Sequence, residues 1–125
     1  MTPTSVDRYR EKVRILEEHC AKAGRNPSTI TRSMMCGFIV GRTQAEAVER
    51  VKALQQVMPM LAQQPAEQVL AGMASRGWLA GTPEQVIGQI KALESLGVSR
   101  IMLQHHNQTD FDVLELIASD IMPEV

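Results

Sequence analysis

The sequence predicts an α/β fold assembled from parallel strand-then-helix units. Thr31–Val40 has a centre, Met34–Val40, that is apolar without alternation, and Arg100–Gln104 carries the apolar run Ile101-Met102-Leu103, the pattern of strands covered on both faces. Each is followed by a turn or polar loop and then by a helical pattern, and apolar residues between them recur at spacings of three and four. Two such units imply a parallel, right-handed arrangement.

The first helix should run from about Ser5 or Asp7 to Ala23, with Val6, Tyr9, Val13, Leu16 and Cys20 on one stripe. Gly24 is placed as a left-handed C-cap, and Asn26-Pro27 stops the helix from resuming. After the first strand, Gly41-Arg42 makes a turn. Thr43 then opens a helix with Glu46 as its capping-box partner, carrying Ala47, Val51, Leu54, Met58 and Leu61 inward until Pro59 breaks or kinks it. Pro65 can open a short helix through Val69, Leu70 and Met73 that stops at Arg76-Gly77. The short Trp78-Leu79-Ala80 segment reads as a lead-in rather than a strand. Thr82, Pro83 and Gln85 form an N-cap, a first-turn proline and a completed box. Val86, Ile90 and Leu93 face inward and Gly97 ends that helix. The last helix should begin near Asp110, bury Leu114, Ile117 and Ile121, and end at Pro123.

This order raises a physical problem. Two parallel strands leave apolar edges with unpaired backbone groups, so the sheet is expected to be completed by another copy or by a larger assembly.

Composition narrows the function. At 125 residues the chain suits a single domain, 1–125. The 13 basic and 14 acidic side chains leave a net charge of -1, so there is no general basic excess to bind nucleic acid. An aromatic content of 3% argues against a base-stacking platform, and eight methionines fill space instead. No apolar run approaches the ~20 residues needed to span a bilayer. The polar start Met1-Thr2-Pro3-Thr4-Ser5 is unlike a signal peptide, and a cytoplasmic location is expected. Cys20 and Cys36, outside any Cys-x-x-Cys pattern, are read as reduced, buried thiols.

Ligands of parallel α/β sheets bind at the carboxyl ends of the strands, which selects two places. At Gly41-Arg42-Thr43 a glycine turn, a guanidinium and a helix N-terminus suit an anion such as a cofactor phosphate, although capping explains the same residues. At Gln104-His105-His106-Asn107-Gln108, adjacent histidines in extended chain point to opposite sides and cannot easily share a metal. One of them could donate to a flavin or move a proton, with polar loop filling as the structural alternative. Asp110 and Asp112 read as caps of the last helix, and His19 as a surface residue. Gly81-Thr82-Pro83 has the look of a phosphate turn, but without a clear strand before it capping is the better explanation. The dinucleotide fingerprint, the Walker loop, the nucleophile elbow and the His-Glu-x-x-His metal pattern are all missing from the sequence.

The ordered motifs carry a resemblance. Gly41-Arg42-Thr43-Gln44-Ala45-Glu46-Ala47 resembles a segment of the luciferase-like monooxygenase superfamily, the flavin- or deazaflavin-dependent oxidoreductases. Ala80–Val86 with Leu96–Leu103 is similar to that family's ending, and Glu18–Pro27 to one of its helix ends. The resemblance implies a partial (β/α)8 barrel: the seventh and eighth strands, the helix before them and those after. A complete barrel takes ~250 residues. For the complete enzyme it implies hydride transfer or monooxygenation with FMN or an 8-hydroxy-5-deazaflavin coenzyme, with Arg42, Thr43, Gln104, His105 and His106 as the residues to test for cofactor binding. No metal is implied.

Three functions follow. The chain is the C-terminal portion or subunit of such an oxidoreductase, catalytically incomplete alone and needing a chain that carries the earlier strands. Or it is a non-catalytic homodimeric α/β interaction module. Or it is a small anion-binding protein built on Arg42 and Thr43. Neither nucleic acid nor membrane is expected as a partner, and the sequence names no substrate.

Overall fold

The computed structural model describes residues 6–125. Helix α1 covers Val6–Ala23, and the alternative start at Ser5 lies outside the described residues. Tyr9 and Cys20 are its buried positions, while Val6 stays exposed. Gly24 takes the expected left-handed conformation at φ 66°. The Asn26 side chain then accepts from the Ser28 N–H at 3.0 Å to start a single 3-10 turn.

The sheet has three parallel strands rather than two. Strand β1 is Ser33–Val40, β2 is Leu79–Gly81 and β3 is Arg100–Gln104, in the order β2-β1-β3. The Trp78-Leu79-Ala80 segment, expected to be a lead-in, thus enters a true strand. Its three residues are too few to show a pattern, and only pairing with Phe38–Val40 makes it one. β1 starts at Ser33 rather than Thr31, where its pairing with Arg100 begins.

Helices lie on both faces. The two faces alternate along β1, as the strand period of two requires. Cys36, Phe38 and Val40 pack with Leu79 of β2 against α4 (Pro83–Ser95) and α5 (Asp112–Leu116). Ile39 and Ala80 pack on the other side against α2 (Gln44–Val57) and α3 (Ala66–Met73). Met34 and Val98 take Tyr9 of α1. Burial leaves the Cys36 thiol with no exposed surface and pushes its pKa up to about 11, so it is an inert thiol at neutral pH. Both cysteines are free and buried.

Two expectations need correction. β3 is not covered on both faces: Met102 and Leu103 are 41% and 38% exposed, because β3 is an edge strand with a neighbour on one side only. In the last helical segment, Leu114 faces solvent while Val113 and Leu116 of α5 and Ile117 and Ile121 beyond it are buried. The helix starts at Asp112, which turns Val113 to the core, and a π-turn over Ile117–Ile121 brings Ile121 back to the same side.

The outer side of β2 is closed from within the chain. The Gln89 side chain donates from Nε2 to the Ala80 carbonyl at 2.9 Å and accepts from the Ala80 N–H at 3.0 Å. One amide thus satisfies two buried backbone groups that an edge strand would leave unpaired. Gln89→Ala should lower stability by about 2 kcal/mol, the cost of stranding those groups, as read by urea denaturation. A loss under about 0.5 kcal/mol would show that β2 does not depend on this bridge.

β2 pairs with only the last three residues of β1. Ser33–Gly37 therefore has a strand neighbour on one side only, and β3 is open on its outer side. No described helix is long and apolar enough to cross a membrane.

Candidate functional site

Parallel pairing runs β1 and β3 in the same direction, with Gln104 opposite Gly37, so the loop after β3 passes beside Phe38–Val40 and reaches the turn after Val40 at one end of the sheet. Gly41 leaves β1 with its N–H bonded to the Gly81 carbonyl at 3.1 Å. Thr43 then caps α2 by accepting from the Glu46 N–H at 3.2 Å. The expected capping box is half formed, because the Glu46 carboxylate turns away to the guanidiniums of Arg42 and Arg50.

These groups build a network across the sheet end. Arg42 grips Asp112 with both terminal nitrogens, at 2.7 and 2.8 Å, and reaches Glu46 at 2.8 Å. Arg50, whose side chain is 13% exposed, bonds Asp110 at 2.8 Å, Asp112 at 2.6 Å, the Val40 carbonyl at 3.0 Å, and Glu46. Two guanidiniums thus face three carboxylates.

The protonation behaviour follows. Hydrogen bonds from Arg42 and then Arg50 hold the Asp112 carboxyl far below the usual range. Burial alone would raise Glu46, but the two arginines outweigh it and hold it low. Arg42 is raised chiefly by its bond to Asp112. Arg50 is raised too, since its bonds to Asp110, Glu46 and Asp112 overcome the effect of burial.

Asp110 does cap α5, its Oδ1 accepting from the Val113 N–H at 3.1 Å. Asp112 does not. It faces Arg42 and Arg50 instead, because the loop carries it across to α2. The Gly81-Thr82-Pro83 turn does follow a strand, contrary to expectation, but it is closed all the same. Gln85 Oε1 accepts from the Thr82 N–H at 3.0 Å in a complete capping box.

The histidines split as extended chain requires. His105 stacks on Phe38 with centroids 5.3 Å apart, and its Nε2–H donates to the Asp110 carbonyl at 3.0 Å. His106 stacks on Trp78 at 5.1 Å, and Trp78 in turn lies over Gly37, where a Cβ would stand 2.5 Å from the indole. Gln104, half-buried, ends β3, and His19 is exposed on α1. The structure thus gathers Arg42, Thr43, Gln104, His105 and His106 at one end of the sheet. Arg50 and Trp78 were not singled out from the sequence. Glu46 and Arg50 do stand at i and i+4 on α2, a spacing that places opposite charges on one helix face, and Arg42 precedes the helix four residues before Glu46.

The donor set does not fit a cofactor phosphate. Both terminal nitrogens of Arg42 and all three nitrogens of Arg50 already meet a carboxylate, the three carboxylates outnumber the cations, and the hydroxyl of Thr43 is engaged in capping.

A three-stranded parallel sheet with helices on both faces, a polar cluster at one end and an open outer edge on β3 makes this an α/β protein. The chain matches the family model of luciferase-like monooxygenases over residues 1–100 and belongs to that family. Its fold is similar to that of the coenzyme F420-dependent tetrahydromethanopterin reductase of Methanopyrus kandleri, with a TM-score of 0.65 at 16% identity. The match covers 92% of this chain and 41% of that one, so the chain corresponds to less than half of that structure's length. None of the curated proteins matches.

Proposed function

We propose that the chain serves a luciferase-like oxidoreductase as its C-terminal barrel portion, a single α/β unit over 1–125, and is catalytically incomplete by itself. The match to the family over residues 1–100 carries this reading. The open edge of β3 and the half-open edge of β1 support it, since a closed barrel would pair both. The partner is a polypeptide carrying the earlier strands. In the complete enzyme the chemistry is hydride transfer or monooxygenation, supplied by FMN or an 8-hydroxy-5-deazaflavin coenzyme when bound. This chain's contribution is positional: Gln104 and His106 present polar groups to the barrel end, and His105 is held by Phe38 and the Asp110 carbonyl.

The test is a fluorescence titration of the chain with FMN and with the deazaflavin coenzyme, alone and after assembly with the earlier strands. The expected result is no binding to the isolated chain at millimolar cofactor, binding after assembly, and weaker binding for Gln104→Ala and His106→Ala. Saturable binding near micromolar by the isolated chain, worth about 8 kcal/mol, would overturn the incompleteness. Failure of the assembled protein to bind either cofactor would overturn the oxidoreductase reading.

A second reading, a non-catalytic homodimer, is favoured by the exposed Met102 and Leu103 on the open edge. Equilibrium sedimentation checks it: a monomer at micromolar concentration with cooperative unfolding would rule it out.

A further inference from the structure

We infer that Asp112 is an internal stand-in for an oxyanion: it occupies the Arg42 fork and closes to phosphate a site that the chain otherwise has. The cations such a site needs are present. Gly41 brings the chain into the first turn of α2, a helix of 14 residues; Arg42 stands just before its N-cap and Arg50 in its second turn, and the two guanidiniums share Glu46 and Asp112. A guanidinium binds carboxylate and phosphate through the same pair of parallel N–H···O bonds. Asp112 makes that pair, at 2.7 and 2.8 Å, and its Oδ2 also takes the Arg50 Nη2 at 2.6 Å. One carboxylate is thus held by three N–H donors on two cations.

The other groups around the cations cannot do the same. Glu46 touches Arg42 through a single oxygen, and Asp110 meets only Arg50, while also capping Val113. Asp112 is the one carboxylate bound bidentately to Arg42, and its side chain is 53% exposed. It stands on the short helix α5, whose attachment to the sheet rests on Val113, Leu116 and Ile117 rather than on this side chain. Removing it would free Arg42 Nη2 and Arg50 Nη2, with Arg42 Nη1 still bonded to Glu46, while leaving that packing intact. The site then holds two cations against two carboxylates, with Arg42 half exposed.

Titration with inorganic phosphate at fixed low ionic strength, where screening is weakest, tests the inference on the full chain, by calorimetry. Asp112→Ala should bind phosphate at least about tenfold more tightly than the wild type, the worth of one charge-assisted fork. The gain should vanish in the Asp112→Ala/Arg42→Ala double variant. Asp112→Asn, which keeps the shape and removes the charge, gives the same comparison if the alanine variant does not fold. Phosphate binding by the wild type as tight as by the folded Asp112 variants would overturn the inference. So would folded variants that gain no affinity, or a gain that survives loss of Arg42. These outcomes are independent of cofactor binding by the assembled enzyme.

Discussion

Gly41→Ala should be the most damaging single-methyl change in the chain, lowering stability by about 3 kcal/mol or more, at or beyond the upper end for overpacking. The added Cβ would stand 2.2 Å from the Ala47 nitrogen and 2.7 Å from the Glu46 carbonyl carbon. Both are backbone atoms in the first turn of α2, so no rotamer can relieve the contact. Relief requires α2 to move off the sheet, which loosens Ala47, Val51 and Leu54, all at most 2% exposed. It also strains the Gly41 N–H bond to Gly81 that ties β1 to β2. Chemical denaturation of the variant beside the wild type measures the loss. A change below about 1 kcal/mol would mean that α2 is not held where the structure puts it.

Arg50→Ala is expected to rank second, at about 2–4 kcal/mol. Removing Arg50, the least exposed member of the network, leaves the part-buried Asp110 uncompensated, and the half exposure of Arg42 and Asp112 moderates the cost. Asp110 and the Val40 carbonyl lose their only guanidinium bonds. Arg50→Lys should not rescue, since an ammonium cannot serve so many differently directed acceptors.

The pH dependence gives a second readout. Asp112 and Glu46 have lowered pKa values in the folded state, so the unfolded chain binds more protons as pH falls. Their stabilisation is fully present above the unfolded carboxylate range, about pH 4 to 5, and is lost as pH falls through the lower folded values. The wild type should therefore weaken steeply in acid, and Arg50→Ala less steeply because part of that linkage is gone. Equal acid slopes for the two proteins would show that Arg50 adds nothing to this linkage.

Much of the fold was legible because its cues are local. Gly24, Gly77 and Gly97 adopt the left-handed conformations that helix ends require, and Thr43 and Thr82 cap the helices they precede. The seven apolar residues Met34–Val40 read as a strand because continuous burial leaves no polar position. β2 was illegible at three residues: it is a strand only because the end of β1 is there to pair with it and Gln89 is there to cover it. Leu114 was misassigned because a π-turn changes the helical period, and nothing in a spacing of three and four announces one.

The site divides in the same way. The Arg42 turn, the polar loop after β3 and the opposite aim of the two histidines came from the sequence, since each depends on neighbours in the chain. What Arg42 touches did not. Asp112 lies 70 residues away, and only the parallel pairing of β1 with β3 sets their loops together. By itself the sequence determined where the helices lie and the ends of all but the last, two of the strands and the end of the sheet where polar groups collect, because backbone conformation and capping act over a few residues. The tertiary structure decided the third strand, the exposed edge of β3 and the neutralisation of the arginines, because those depend on which distant backbone and which distant carboxylates the fold brings within bonding distance.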